Sequence, residues 1–274
     1  MEEFYVVTGA GPVGWTVAEQ LALAGNQVRV LTRSGSGPDL PNIERIRADA
    51  SDTEQMTRLI SRSSAVFHCI HGSSYTHKAW QSELPRAEKV VLEAAGQTDA
   101  VVVFPESLYS YSRPDQAMTE NSPRAAAGGK RGVRTELLAQ RRDSDTPTLS
   151  VVAAMITAAG RTDVWNSVLH APTAAAPTFR TLVKELSRAA GVQDVPVRPI
   201  PGWLVRTLGA VPGDMRELAE MLYQFEQPFV MDSSTSEDLL GLRPTPLAEG
   251  AAATAAWWRE GEPKKPVPAT KIVQ

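Results

Sequence analysis

The chain has 274 residues, a formal net charge of −3, 42% hydrophobic and 22% charged residues. This length suits one large α/β domain, or a nucleotide domain with a small annex, and the composition is that of an ordered globular chain. The charge balance gives no electrostatic basis for nucleic acid or an anionic membrane as partner, and the single cysteine, Cys69, excludes an intrachain disulfide and a thiolate metal cluster.

The first residues, Met1-Glu2-Glu3-Phe4, are acidic and lack the basic region of a signal peptide. No apolar run is long enough to span a bilayer, so the cytoplasm is the expected location. Phe4–Thr8 is a short β-rich run, followed at once by Gly9-Ala10-Gly11-Pro12-Val13-Gly14. Trp15–Ala24 reads as a helix with Val17, Leu21 and Ala24 on one face, stopped by Gly25-Asn26. Gln27–Thr32 is the next strand, which completes a βαβ unit.

The alternation continues. Ile43–Arg47 is a weak strand, Thr53–Ser61 a helix capped by Asp52 or Ser51, and Ala65–Cys69 a strand. Trp80–Ala95 is a long helix, Ala100–Phe104 a strand, Lys130–Arg142 a helix and Thr148–Ala153 a strand. The strands are apolar without alternation, which predicts a parallel sheet covered on both faces. Residues 105–129 contain three prolines and a Gly-Gly and read as a long functional loop.

Beyond Ala154 the rhythm changes. Helices are predicted over Thr178–Ala190 (with Gly191 as stop), Trp203–Leu208, Asp214–Phe225 and Leu247–Arg259, with Pro196–Pro201 extended and a cap near Asp232. The expected organisation is a dinucleotide-binding core over 1–154, a substrate-side region over 155–260 and a loose tail over 261–274. The fold class is a Rossmann-type, doubly wound parallel sheet with helices on both faces and a small C-terminal annex.

Gly9-x-Gly11-x-x-Gly14 lies between a predicted strand and a predicted helix, the context that gives this pattern its meaning. Gly9 permits the tight turn, Gly11 lets backbone approach a pyrophosphate, and Gly14 lets helix pack on strand. The N–H groups at the helix start, with Pro12 and Val13, would face the phosphates. The second strand ends Leu31-Thr32-Arg33-Ser34, with no acid for a ribose hydroxyl. Arg33 suits a 2′-phosphate, so NADP(H) is the expected cofactor. A cofactor-free relative with a structural glycine turn and a solvated Arg33 is the plainer alternative.

TGAGPVG, VRVLTRS, RADASD, VFHC, VVVFPESLYSYS, TENSP, KRGVRTELLA and LRPTPLAEG together resemble the extended and atypical short-chain dehydrogenase/reductases of the NAD-dependent epimerase/dehydratase type. By that resemblance Asp49 and Ala50 border the adenine, and Cys69–Ser73 runs past the nicotinamide ribose. The family's chemistry uses a serine or threonine, a tyrosine and a lysine. Ser107 matches the serine, and Lys130 the lysine, which also holds the cofactor. The tyrosine's place, one helical turn before the lysine, is Ala126. The stretch that builds much of the family's substrate pocket after the sixth strand is also short here. The cleft is therefore expected to be wider, or closed by a second chain, as in a homodimer.

Tyr109 and Tyr111 lie nearby: Tyr109 is a candidate for the missing phenol, and Tyr111 matches a tyrosine that relatives carry structurally but also borders the substrate region. Packed aromatics are the alternative for both. His71, Tyr75 and Trp80 follow the fourth strand and are candidates for substrate contact, with a solvated histidine and core aromatics as alternatives. Glu106 is a candidate base or N–H acceptor. His68, Tyr223 and Phe225 read as packed, and Arg243 as structural. His71 and His77 lack the partners for a metal site. A small-molecule substrate is expected. Three functions stay open: an NADP(H)-dependent reductase of a small carbonyl compound, a non-redox cyclase, isomerase or dehydratase of specialised metabolism, and a non-catalytic NADP(H) sensor.

Overall fold

In the computed structural model, residues 4–151, 154–210 and 213–260 are described. Seven parallel strands form one sheet in the order β3-β2-β1-β4-β5-β6-β7. They are β1 (Phe4–Thr8), β2 (Gln27–Thr32), β3 (Ile43–Arg47), β4 (Ala65–His68), β5 (Val101–Pro105), β6 (Thr148–Val151) and β7 (Ser167–Leu169). The order reverses between β1 and β4, where the register pairs Thr8 with His68. In open parallel sheets the crevice at such a reversal is where ligands sit.

Both faces are covered, as the unbroken apolar strands predict. On one face Val7 and Phe67 pack with Val17 and Leu21 of α1 (Pro12–Leu23) and with Ala158 of α5 (Met155–Ala159). On the other, Val6 and Val66 pack with Met56 and Ile60 of α2 (Thr53–Ile60) and Val91 of α3 (His77–Gly96). Helix α4 (Gly129–Arg142) lies beside α3 and adds Val133 and Leu137 to a third cluster with Trp80 and Leu84.

The local rules account for most boundaries. Asp52, rather than Ser51, caps α2 by accepting from Gln55 N at 3.0 Å. Helix α1 begins three residues earlier than expected because Gly11 is its cap and Pro12, with its preset φ, its first residue. Helix α3 likewise begins at His77, because Thr76 accepts from Ala79 N. The strand expected over Thr148–Ala153 is seen to Val151, and its last two residues lie outside the described ones, as does the tail 261–274.

The C-terminal region is helical: α6 (Phe179–Ala190), α7 (Gly202–Leu208), α8 (Asp214–Glu220), α9 (Tyr223–Glu226), α10 (Ser234–Leu240) and α11 (Leu247–Glu260). Thr178 caps α6, and Gly191 closes it at φ +70°. Three differences from expectation stand out. The single helix expected over Asp214–Phe225 is broken at Met221, which is buried. Helix α10 was not anticipated beyond the cap region, where Asp232 Oδ1 accepts from Ser234 N at 3.0 Å. Phe225 is not core: it is 69% exposed.

Candidate active site

The three glycines of the turn have different surroundings. Gly9 sits at φ +87°, and a Cβ there would lie 2.8 Å from the Cys69 carbonyl oxygen. A Cβ on Gly14 would lie 2.0 Å from the Gly9 oxygen, so only glycine lets α1 close onto the turn. Gly11 differs: a Cβ there would meet nothing within 4 Å. Its exposed face lies at the N–H end of α1, the kind of place where an anion can be held. Pro12 and Val13 flank it, exposed.

Arg33 is exposed at the end of β2. Across from it Glu83 of α3 accepts from Ser73 N at 2.8 Å and from Ser73 Oγ. These bonds, with a smaller contribution from the Arg33 charge, hold the Glu83 carboxyl below its ordinary range. Asp49 is a turn residue whose Oδ1 accepts from Ser51 N at 2.9 Å, while Ala50 is buried in the α2–α3 core cluster rather than open to the crevice. Arg33, the glycine turn and Asp49 thus follow three adjacent strands at one edge of the sheet.

The aromatic residues after β4 and β5 come together. The hydroxyls of Tyr75 and Tyr109 are 2.8 Å apart. Tyr109 stacks on Trp80 with ring centroids 6.1 Å apart, and His71 and Tyr75 meet the same indole edge-on at 4.7 and 5.5 Å. Trp80 itself has no exposed surface, so it is the floor beneath the other rings and not a substrate contact. Tyr75 is 43% exposed. Burial of its ring, the bond to Tyr109 and the Glu220 charge all push its phenol pKa up, which keeps the hydroxyl protonated as a donor. Burial lowers the pKa of His71, which leaves it neutral near pH 7 and a poor proton donor.

Lys130 has no exposed surface. Its Nζ donates to Glu220 Oε2 at 2.7 Å and to Glu217 Oε2, both from α8, and lies 4.9 Å above the Tyr75 ring centroid. In this structure the ammonium is thus tied to carboxylates, and the sequence pattern that suggests a ribose-binding lysine did not anticipate them. The carboxylates are 87 and 90 residues away in sequence. Two glutamates three apart on one helical face were the available signal. Ser107 is half-buried, and its N and Oγ donate to its neighbour Glu106.

Glu106 acts as the N–H acceptor and not as a base. Burial works to raise its pKa, but Arg134 and Arg141 outweigh that and hold the carboxyl ionised. Arg141 Nη1 donates to it at 2.7 Å, and the other edge of the guanidinium meets both Glu88 oxygens at 2.6 and 2.8 Å. Tyr111 is 2% exposed, and its hydroxyl lies 2.6 Å from His170 Nε2, so it is structural rather than a substrate contact. Ala126 is buried, its N–H bonded to the Ser110 oxygen at 3.0 Å. Tyr223 is half-buried under Arg131, and Arg243 pairs with Glu237 and Asp238 at the surface. Burial pushes the Cys69 thiol up to about 12, which leaves no thiolate nucleophile. Among the described residues no group of three or more His, Cys, Asp or Glu is placed to hold a metal, and no helix is long and apolar enough to cross a membrane.

Comparison with known proteins bears on the fold and on the N-terminal part of the chain. Residues 5–125 match the model of the NAD dependent epimerase/dehydratase family. Over these residues the chain is similar to that family. The whole chain is similar in fold to solved structures of low identity. One is the Bordetella bronchiseptica enzyme WbmG in complex with NAD, 16% identical, with 95% of each chain covered and a TM-score of 0.70. Another is the UDP-glucose 4-epimerase of Thermotoga maritima with UDP-glucose, 17% identical, covering 94% of this chain and 99% of that one, also with a TM-score of 0.70. MoeE5 in complex with UDP-glucose and NAD is 18% identical, with 93% and 98% covered and a TM-score of 0.66. No curated protein matches the sequence. Lys130 and Ala126 lie outside the matched residues, whereas the glycine turn, Ser107 and Tyr109 lie within them.

Proposed function

We propose that the protein binds NADP(H) and reduces, or otherwise transforms, a small carbonyl-containing metabolite. The observation that carries this reading is the open face of Gly11 at the start of α1, with the Tyr75–Tyr109 hydroxyl pair following the next two strands, β4 and β5. Gly9, Gly11, Pro12, Val13 and Gly14 would hold the pyrophosphate, Asp49 would flank the adenine, and Arg33 would take the 2′-phosphate. When bound, the nicotinamide supplies hydride chemistry. The protein's part is to place a substrate oxygen against a hydroxyl donor. Tyr109 is the donor nearest Ser107 in sequence, and its bond to Tyr75 supports it from behind.

A second reading, a non-redox enzyme on the same scaffold, draws on two observations. Ala126 replaces the family tyrosine, and Lys130 is held by carboxylates. One labelled incubation separates the readings. NADPH deuterated at C4 is incubated with a panel of aldehydes and ketones, and the products are weighed. Deuterium in a product is the expected result, and product without label and without NADPH oxidation supports the non-redox enzyme. Binding without any product supports a sensor. A parallel titration tests the site itself: Gly11→Asp places a carboxylate in the cradle and should abolish NADPH binding in a folded protein. Wild-type affinity in that variant rejects the cradle.

A further inference from the structure

Helix α8 is attached to the rest of the molecule in an unusual way. None of its residues is fully buried, and Leu218 on its outer side is 44% exposed. A helix with so little apolar burial belongs to the least stable part of a fold. It packs on α7, where Ala219 and Met215 lie against Gly209, and its ties to the starts of α3 and α4 are polar and made by two side chains. Glu217 accepts from Lys130 Nζ and from His77 N, in the first turn of α3, at 3.3 Å. Glu220 accepts from Lys130 Nζ at 2.7 Å and, through its other oxygen, from Lys130 N in the first turn of α4, also at 2.7 Å. Helix α4 has no side-chain cap of its own, so Glu220 supplies one. The site is shaped for that carboxylate: a Cβ on Gly129 would lie 2.2 Å from Glu220 Oε1.

The two ends of α8 differ. Gly213, before its first residue, has φ +144°, an angle that favours glycine, whereas Met221 just beyond its last residue is buried. A short helix with a buried residue beyond one end and a glycine before the other, tied to the fold by one buried ammonium, has the build of a strap across the cleft.

We infer that α8 is such a strap, fastened by Glu217 and Glu220 to Lys130, and that binding of an anionic dinucleotide in the cleft releases it. The inference rests on the cofactor reading above. The reason is electrostatic. A dinucleotide brings phosphate charges into a cleft that already holds two carboxylates, and like charges in a poorly solvated site repel strongly. A dinucleotide also offers oxygen acceptors to the Lys130 ammonium, which cannot satisfy both partners at once. Binding and release are therefore linked, and whatever loosens the strap must raise dinucleotide affinity by the same factor. Glu217 and Glu220 act here through Lys130 as positioning residues.

The test uses the full chain and needs no substrate. Hydrogen exchange over residues 214–220 is measured with and without saturating NADPH, and NADPH affinity is measured for wild type and for Glu217→Gln with Glu220→Gln. Exchange should quicken on binding, and the double variant should bind about tenfold more tightly, since glutamine cannot hold an ammonium as a carboxylate does. Unchanged or slowed exchange in α8, or weaker binding by a variant that melts like wild type, overturns the strap. Glu220→Gln alone serves if the double variant does not fold. If neither protein binds NADPH or NADH, the cofactor reading and the release step both fail. The fastening is then judged on Lys130→Met: faster exchange over 214–220 upholds the tie alone, and unchanged exchange refutes it.

Discussion

The strands at the centre of the sheet and the helices that follow them are held by different forces. Val6, Val7, Val66, Phe67, Val101, Val102, Val103, Leu149 and Val151 have no exposed surface, whereas α6 fully buries only Ser187 and α8 nothing. At about 25 cal/mol per Å² of apolar surface, the sheet gains most of the burial energy of this fold. The later helices instead carry exposed apolar side chains, among them Trp203 and Phe225. The ends of the strands, rigid on one side and roofed by weakly held helices on the other, are where the candidate site lies. A rigid sheet sets the positions of the glycine turn and Ser107, and a loosely held region can move over them.

The comparison is broken most directly at the buried ion network behind β5. Arg141 is 96% buried and bridges Glu88 and Glu106. Arg141→Met leaves both carboxylates without their main partner, and removing one member of a buried network costs about 3–5 kcal/mol. Urea unfolding should show that loss. In the later helices Arg188 pairs with Glu185 at the surface, and Arg188→Met should change stability by about 1 kcal/mol or less. Equal losses from the two variants would remove the distinction between the regions.

Acid sharpens the same contrast. His68, in the sheet, accepts or donates a bond to Thr8 Oγ1 at 2.9 Å, and burial lowers its pKa to about 3, with help from Arg141 and Arg134. The unfolded chain takes up that proton near pH 6.5, so the contribution of neutral His68 is complete above about pH 6.5. It is lost progressively as the pH falls towards 3, at about 1.4 kcal/mol per pH unit. Unfolding free energy measured between pH 6.5 and 4.5 should fall by roughly 2–3 kcal/mol, and His68→Gln should flatten the slope by that amount. An unchanged slope in the variant would show that other groups govern the acid limb.

At the edge of the sheet, Arg33→Ala should erase most of the preference for NADPH over NADH. A charge-assisted bond to phosphate is worth about 1.5–3 kcal/mol, or roughly tenfold and more in affinity. Equal binding of the two nucleotides by the wild type would reject the NADP(H) assignment.

How far the sequence foretold this structure follows the same division. The sheet was legible because fully covered parallel strands read as apolar runs, and the turn because Gly9 and Gly14 have no room for a Cβ. Strand β7 and helix α5 escaped notice, being three and five residues long, too short for a period to register. The site was half legible. Ser107, Tyr75 and Tyr109 lie on segments that visibly follow strands, but the contact between the two tyrosines joins positions 34 residues apart. No local pattern reports a pairing at that separation. Lys130 was legible as a residue and not as an ion pair, because its partners lie 87 and 90 residues further along the chain. The reading of Phe225 as core failed for a related reason: an aromatic in a mixed segment signals burial only where the surrounding pattern supplies a face to bury it against.

The smallest expected effect lies in those later helices. Trp203 in α7 is 68% exposed, and its loss should barely alter stability. An exposed side chain leaves no cavity when it is shortened, so Trp203→Ser should change unfolding free energy by about 0.5 kcal/mol or less. Phe67 in β4 has no exposed surface, and Phe67→Ala should cost about 3–5 kcal/mol, because transfer and cavity contributions add. The pair of variants carries information that neither gives alone. If Trp203→Ser destabilises by more than about 2 kcal/mol, the indole is covered in solution, since only removal from water gives an aromatic that worth. Repeating the measurement at tenfold lower protein concentration then separates the two kinds of cover: a loss that shrinks on dilution comes from a second chain, and one that does not comes from this chain folding over its own helix.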